Sequence, residues 1–309
     1  MDDERELRLA QSFAEILDGA ARGEDAPELA DELATLAEID RALDPPALPE
    51  QLSGHKILAE IGSGGMGRVL LAMDEALGRK VAIKTLAPRY ADNRALHARF
   101  MAEARAMARL SHPNIVRIYN LGPAEEPPHF VMEFLEGAPL TKAAARLTFE
   151  QRAELMHKVV LAVEFLHQGG MLHRDLKPAN ILVGADLEPK LLDFGLALDL
   201  GLHERLSRIG EMAGTPEYFS PEQAGGAEKL DARSDIFSLG AILYELLAGA
   251  PPFRGVTVAE LLRCIREDEP ALPRRQDPQI PKGLQDICLK ALEKNPAQRY
   301  GSAREMAEE

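Results

Sequence analysis

An aspartate and an asparagine five residues apart could together handle a proton and a cation. Asp175 and Asn180 stand in the polar segment 173–180. A positioned carboxylate can accept a proton from a hydroxyl group, and carboxylate and amide oxygens are ligands for hard cations. The sequence Asp-Phe-Gly at 193–195 follows 18 residues after Asp175. These residues predict a site where a hydroxyl group is deprotonated near a bound cation.

A glycine-rich segment could hold phosphate oxygens. Gly62, Gly64 and Gly67 lie between two predicted strands. Glycines let the backbone approach phosphate groups closely and direct amide N–H groups at them. The pattern alone is weak, because a plain glycine-rich hairpin would look the same. A dinucleotide-binding turn would need a helix after the glycines, and residues 68–71 instead have the pattern of a strand.

A lysine in the next predicted strand strengthens the phosphate hypothesis. Lys84 ends the run Val-Ala-Ile-Lys at 81–84. Placing an ammonium group in an apolar strand is costly unless it contacts an anion, and phosphates together with a carboxylate would provide one. Glu103 follows 19 residues later in a predicted helix. Its alternative is a solvated glutamate that pairs locally with Arg99.

Short apolar runs predict the elements that would position these residues. The predicted strands are residues 56–60, 68–72, 80–84, 115–119 and 129–133, with one predicted helix at 97–110. From about residue 147 the pattern is mostly helical, and the predicted helices include residues 152–167, 235–247 and 259–267. The sequence thus predicts a small sheet with one helix, followed by a larger helical part.

The composition excludes several classes of protein. The 309 residues include 36 Lys and Arg against 50 Asp and Glu, so the net charge of −14 argues against a broad nucleic-acid surface. No run of about 18 apolar residues is present, so no membrane span is predicted. The two cysteines, Cys264 and Cys288, are too few for a disulfide framework or a cysteine zinc cluster and fit a reducing compartment. We expect both to be buried apolar residues.

The first 50 residues form a separate acidic block. They hold 15 acidic and 4 basic residues. Apolar residues at helical spacing predict two short helices, and the proline-rich segment 44–49 predicts a stiff linker. Such short helices bury little surface alone. Their apolar faces could dock on the main domain, on a second copy of the chain or on a partner, or the block could be a solvated appendage.

Taken in order, these motifs resemble the protein kinase catalytic domain, and most closely the eukaryotic-like Ser/Thr kinases of bacteria. Three further segments carry the resemblance, which covers roughly residues 55–305: residues 110–116, 214–223 and 235–240. The resemblance implies an α+β bilobal fold with a β-rich N-lobe at 55–135 and a helical C-lobe at 136–309. It does not extend to residues 1–50.

The resemblance implies a role for each matching residue. Asp175 would accept the proton of the substrate hydroxyl, and Lys177 would neutralise charge on the transferred phosphoryl group. Lys84 would bind the α- and β-phosphates of ATP and pair with Glu103. Mg²⁺ would be held by Asn180 and Asp193. The residues assigned to ATP are Ile61, Gly62, Gly64, Gly67, Val69, Ala82, Lys84, Met132, Glu133, Leu135, Asn180, Leu182 and Asp193.

The adenine ring would lie among apolar residues. Val69, Ala82 and Leu182 would enclose it, and Met132 would stand behind it. The Glu133 carbonyl and the Leu135 amide would bind its edge. Each apolar residue is equally compatible with packing in the core, and the two interpretations do not conflict.

Other residues would set substrate class, regulation and stability. Lys177, two residues after Asp175, is the form typical of Ser/Thr kinases, and Thr215 would bond to both. Ser207 is the candidate phosphosite, where a phosphate could pair with Arg174; the alternative is an ordinary loop serine. Asp235 would support the backbone of the catalytic loop. Glu222 and Arg299 would form an ion pair that stabilises the C-lobe.

The sequence leaves two activities open. Every side chain that phosphoryl transfer requires is present, which favours an active Mg·ATP-dependent kinase acting on Ser/Thr residues of proteins. The alternative is a nucleotide-binding scaffold regulated by the N-terminal helices. Nothing in the sequence identifies a substrate protein. We expect a cytoplasmic protein, or the cytoplasmic part of a longer membrane-anchored one.

Overall fold

The computed structural model describes residues 48–64, 67–87, 90, 93–192, 216–227 and 229–309. The predictions made for the helices of the acidic block and for Asp193, Ser207 and Thr215 fall outside these residues. No helix of the described part is long and apolar enough to cross a membrane.

The first part of the domain is a six-stranded antiparallel sheet. The strand order is β1-β2-β3-β4-β6-β5. The strands are β1 (Gln51–Leu52), β2 (His55–Gly64), β3 (Gly67–Asp74), β4 (Arg79–Leu86), β5 (Ile118–Leu121) and β6 (His129–Glu133). Side chains alternate between faces, so Val81 and Ile83 join one buried cluster and Ala82 joins the main core. Four of the five predicted strands are confirmed with small changes at their ends.

The fifth predicted strand, 115–119, was wrong in its first half. Strand β5 begins only at Ile118. Ile115 forms a parallel bridge with Leu191, and the Val116 amide donates to the Leu191 carbonyl at 3.0 Å. The apolar residues 115–116 are buried because they join the sheet to the helical part, and a β-like pattern cannot show which partner a strand will find.

One helix packs on the sheet. It is α1 (Arg94–Met107), and its buried face consists of Leu96, Phe100, Ala104 and Met107. The helix begins three residues before the predicted start, because the Asn93 side chain accepts a hydrogen bond from the Leu96 amide at 3.0 Å and caps it. Glu103 lies on the same helix.

The second part of the domain is helical, as predicted. Its helices are α2 (Leu140–Ala144), α3 (Phe149–Gln168), α4 (Pro221–Ala224), α5 (Ala232–Ala248), α6 (Val258–Glu267), α7 (Pro273–Gln276), α8 (Lys282–Ala291) and α9 (Ala303–Glu308). A small antiparallel sheet is formed by β7 (Gly137–Pro139), β8 (Ile181–Gly184) and β9 (Pro189–Leu191). Helix α5 is buried along most of its length and forms the centre of the core. Cys264 and Cys288 are both buried, as expected.

The predicted ion pair between Glu222 and Arg299 is present. The Arg299 guanidinium donates to both carboxylate oxygens of Glu222 at 2.7 and 2.9 Å. It also donates to the backbone carbonyls of Arg233, Glu293 and Lys294. Burial alone would raise the pKa of Glu222, but its bonds with Arg299 hold that pKa below the ordinary value. The pair joins α4 to the C-terminal segment.

Candidate active site

The glycine-rich segment is the end of a hairpin. Strands β2 and β3 pair from Lys56–Met73 as far as Gly64–Gly67, so a strand follows the glycines and no helix does. A Cβ atom at Gly67 would lie 1.8 Å from the carbonyl oxygen of Thr85 on β4. Gly67 is therefore required by the close approach of two strands. Gly62 is different, because the nearest atom to a Cβ there would be 3.8 Å away, on Val69.

These two glycines give a matched pair of substitutions. We expect Gly67→Ala to lower the free energy of unfolding by about 1–3 kcal/mol, because the methyl group must displace the β4 backbone. We expect Gly62→Ala to change stability little, because its methyl group would make an ordinary van der Waals contact. Urea denaturation of both variants and the wild type would measure this. Equal loss of stability in the two variants would contradict the steric argument.

Lys84 lies in the middle of the sheet. It stands on β4 opposite Val69 of β3 and Phe130 of β6. Its side chain is half-buried, as is that of Glu103 on α1. The sheet thus carries the predicted lysine one strand away from the glycine hairpin. Pairing of Lys84 with Glu103 stays a prediction.

The residues predicted to surround adenine come from both parts of the domain. Ala82 lies opposite Met132 across β4 and β6, and both are buried. Leu182 is half-buried on β8, opposite Pro139 of β7. The half-buried Val69 and Leu135 and the exposed Ile61 complete the predicted set.

The side chain of Glu133 joins the two parts of the domain. Both of its carboxylate oxygens lie 2.7 Å from the Nζ atom of Lys190 on β9. The Glu133 amide also donates to the Arg117 carbonyl at 2.8 Å. Sequence analysis assigned only the backbone of Glu133 a role and missed this ion pair, since 57 residues separate its members.

The predicted catalytic residues meet in one loop. The Asp175 Oδ2 atom accepts hydrogen bonds from Lys177 Nζ at 2.9 Å and from Asn180 Nδ2 at 3.0 Å. Asn180 Nδ2 also donates to the Asp175 backbone carbonyl at 2.8 Å. The short 3₁₀ helix Pro178–Asn180 brings the asparagine back towards the aspartate. The structure therefore brings three of the predicted residues within hydrogen-bonding distance of one another.

A buried aspartate braces this loop, as predicted. Asp235, in the first turn of α5, accepts from the backbone amides of His173 and Arg174 and lies 2.8 Å from His167 Nε2. Arg174 has a φ of 64°, which is the left-handed region that few residues other than glycine adopt. The two hydrogen bonds that these backbone amides donate to the Asp235 carboxylate hold this unfavourable conformation next to Asp175.

Residues after position 215 form the other side of the site. A small depression beside Asp175 is also lined by Lys177, Tyr218, Phe219 and Ser238. The Tyr218 hydroxyl donates to Glu245 Oε2 at 2.6 Å. Burial, followed by this bond to a carboxylate, raises the pKa of Tyr218 well above its ordinary value. The tyrosine therefore stays neutral and fixes the wall of the depression.

Comparison with known proteins decides the family. The family model described as the protein kinase domain matches residues 55–309. The chain belongs to the protein kinase domain family. Two of its relatives are bacterial Ser/Thr kinases. The chain is 40% identical to serine/threonine-protein kinase PknB of Mycobacterium leprae over 84% of this chain and 43% of that protein. It is 38% identical to serine/threonine-protein kinase PrkC of Bacillus subtilis over 83% of this chain and 40% of that protein.

Solved kinase structures have the same fold. The Mycobacterium tuberculosis PknI kinase domain matches with a TM-score of 0.65 and 28% identity, over 85% of this chain and 98% of that one. Rad53 residues 1–466, in complex with AMP-PNP, match with a TM-score of 0.68 and 27% identity, over 82% of this chain and 64% of that one. These matches confirm the predicted bilobal α+β kinase fold. The chain spans about two fifths of the length of the curated relatives.

Kinases of this family use ATP and a divalent metal ion, and the residues in the described part fit that use. The amide nitrogen of Asn180 is engaged by two bonds to Asp175, which leaves the amide oxygen as the group suited to a hard cation. Its predicted partner, Asp193, lies outside the described residues. The described His, Cys, Asp and Glu side chains alone form no group of three suited to a metal. Binding of the metal by Asn180 and Asp193 stays a prediction.

Proposed function

We propose that this kinase domain transfers the γ-phosphoryl group of ATP to Ser and Thr hydroxyls of proteins, and that Mg²⁺ is its metal. One observation carries the proposal: Asp175 holds Lys177 and Asn180 within 3.0 Å of a single carboxylate oxygen. In this assignment Asp175 would be the proton acceptor, Lys177 the cation and Asn180 the metal-ligand amide, and phosphoryl transfer requires such groups to be positioned together.

We assign nucleotide binding to the residues predicted from the sequence. Gly62, Gly64 and Gly67 would cover the phosphates, and Lys84 would bind the α- and β-phosphates with Glu103 as its partner. The adenine would contact the apolar set, and its edge would bond to the Glu133 carbonyl and the Leu135 amide. The Glu133–Lys190 ion pair supports this assignment, because it restrains the residue whose carbonyl would bind adenine.

The chemistry would follow from the loop. Asp175 would accept the proton of the attacking hydroxyl, and Lys177 would stabilise negative charge on the transferred group. When bound by Asn180 and Asp193, Mg²⁺ would supply positive charge to the phosphates. The order Asp-x-Lys at 175–177 and the names of the bacterial relatives support Ser and Thr as acceptors.

A transfer assay with labelled ATP tests the proposal. We expect purified wild-type chain to incorporate the label, into itself or an acceptor peptide, only when Mg²⁺ is present. Mass spectrometry should then locate the label on Ser or Thr, and would show whether Ser207 is a site. Label on tyrosine alone would contradict the substrate class. Nucleotide binding without any transfer would favour a scaffold.

We propose that residues 1–50 are a separate module that regulates or dimerises the kinase domain. The support is their charge, 15 acidic against 4 basic residues, and their predicted apolar faces. Deleting residues 1–47 leaves β1 intact and is expected to change the autophosphorylation rate several-fold or to halve the mass in solution. Light scattering and the transfer assay measure both quantities. If neither changes, the module proposal is wrong.

We also propose that the domain works in the cytoplasm, where ATP is available. Its two buried cysteines are consistent with a reducing compartment. The two arrangements to be distinguished are a free protein and the cytoplasmic part of a longer protein that is anchored to a membrane. Fractionation of cells that express the native gene product would distinguish these arrangements.

A further inference from the structure

We propose that Gln223 is a positioning residue that orients Asp175 through the backbone of Arg174. The inference rests on the proposed function only in taking Asp175 as the proton acceptor. Gln223 lies in the four-residue helix α4 and is 2% exposed. Its Nε2 atom donates to the Arg174 carbonyl at 2.8 Å, across 49 residues of sequence. No motif reasoning gave this residue a role.

The two ends of the Gln223 amide have separate partners. Its Oε1 atom accepts from the Ser220 amide at 3.0 Å, and its own backbone amide donates to Ser220 Oγ at 3.2 Å. These bonds form the capping box of α4. The side-chain oxygen therefore caps helix α4, whereas the NH₂ group binds the catalytic loop. Since one end faces a donor and the other an acceptor, the amide has a single satisfactory orientation.

The hydrogen bond from Gln223 is one of those that fix the peptide group between Arg174 and Asp175. The Arg174 amide is held by Asp235, and the Asp175 amide donates to the His173 carbonyl at 2.8 Å. The Arg174 carbonyl belongs to the same peptide plane as the Asp175 amide. With Gln223 on the carbonyl and His173 on the amide, that plane is fixed on both sides. Its rotation would swing the Asp175 side chain away from its position.

Gln223 is itself firmly anchored. The preceding residue, Glu222, accepts from Arg299 and from Ser234 Oγ at 2.7 Å. The backbone of Tyr218, which lines the site beside Asp175, accepts from Ser238 Oγ at 2.7 Å. Residues 216–224 are thus attached to α5 and to the C-terminal segment. Gln223 therefore links the position of residues 216–224 to the position of Asp175.

Two substitutions separate positioning from helix capping. Gln223→Glu keeps an acceptor for Ser220 but removes the donor to Arg174 at neutral pH. Gln223→Leu removes both the acceptor for Ser220 and the donor to Arg174. The matched control is Gln285→Glu, because Gln285 is also a buried glutamine whose Oε1 accepts a backbone bond, from Arg274 at 3.2 Å, in helix α8. Gln285→Glu and Gln223→Glu share the burial of a new carboxyl group.

Hydrogen exchange measured by mass spectrometry gives a readout that does not need activity. We expect the peptide that contains Arg174 and Asp175 to exchange faster in both Gln223 variants than in wild type and Gln285→Glu. In the transfer assay we expect kcat to fall about 10- to 100-fold with the KM for ATP within about twofold, since misplacement of a catalytic group lowers turnover. Lowering the pH should restore part of the kcat of Gln223→Glu, because a protonated carboxyl can donate, and should not restore that of Gln223→Leu.

Distinct outcomes separate this inference from the proposed function. Unchanged exchange at 174–175 in both Gln223 variants, or wild-type kcat in Gln223→Leu, would overturn it. A Gln223→Glu rate that follows the Gln223→Leu rate at every pH would also overturn the role of the donor. If wild type transfers no phosphate while the exchange behaves as expected, the proposed function fails and the positioning by Gln223 stands.

Discussion

Replacing Asp175 by asparagine is expected to lower the rate of phosphoryl transfer by about 10²- to 10⁴-fold. An asparagine amide cannot accept the proton of the attacking hydroxyl. It also cannot present a charged oxygen to Lys177 and Asn180, which both donate to Asp175 Oδ2 in the wild type. The ATP-dependent rise in thermal stability should persist, because the proposed adenine and phosphate contacts lie elsewhere. Single-turnover transfer and a thermal shift with Mg·ATP measure the two effects.

Asp186→Asn is the control for this substitution. Asp186 is exposed in the turn after β8, where its Oδ1 atom accepts from the Glu188 amide, and an asparagine oxygen can do the same. We expect a wild-type rate from that variant. An Asp175→Asn rate within about tenfold of wild type would argue that Asp175 does not act as the base.

Replacing Arg299 by methionine is expected to lower the free energy of unfolding by about 3–5 kcal/mol, because the Glu222 carboxylate, whose side chain is only 18% exposed, would lose its cation. Three backbone carbonyls would also lose their donor. Urea denaturation followed by circular dichroism measures the change. The Arg299 side chain is 0% exposed, so solvent cannot replace the lost contacts.

Arg304→Met provides the comparison. The exposed Arg304 side chain lies 3.8 Å from Glu164, and the Glu164 carboxylate keeps hydrogen bonds from Gln168 Nε2 and from the Arg304 backbone amide when that side chain is removed, so the loss should be below about 1 kcal/mol. The double variant Glu222→Leu with Arg299→Met should be more stable than Arg299→Met alone, because no buried charge is left unpaired. An Arg299→Met variant as stable as Arg304→Met would show that the ion pair contributes little.

The same pair predicts a dependence on pH. Bonds from Arg299 hold the pKa of Glu222 below its ordinary value of 4.5, although burial opposes this. A carboxyl whose pKa is lower in the folded state contributes stability above 4.5, and this contribution is lost as the pH falls through the folded value. In Arg299→Met, burial without the cation should raise the pKa of Glu222, so the stability difference from wild type should be full near neutral pH, begin to shrink as the pH falls through that raised pKa, and shrink further below 4.5.

The sequence allowed the fold and much of the site to be predicted, because the informative residues act over short spacings. One loop of six residues contains Asp175, Lys177 and Asn180, so the contacts among their side chains could be predicted from the local sequence. Asp235 and the Glu222–Arg299 pair were predicted through the resemblance to kinases. Residues 115–117 were assigned to a strand because a β-like pattern does not reveal that their partner is Leu191.

The missed residues share one property, which is that their partners are distant in sequence. Gln223 and Arg174 are 49 residues apart, and Glu133 and Lys190 are 57 apart. A glutamine after a proline-glutamate pair has an ordinary capping role in the local sequence. Only the packed structure shows that its second amide atom meets a carbonyl of another loop.

The left-handed backbone at Arg174 sets fold stability against activity. A residue with a Cβ atom in this conformation costs about 1–2 kcal/mol, and the bonds from Asp235 and Gln223 must offset that cost. A glycine at this position would remove the steric cost and make the domain harder to unfold, but it would also let the peptide that orients the base rotate more freely. Selection for thermostability alone would therefore tend to damage catalysis at this position, and a search for stabilised variants should leave it unchanged.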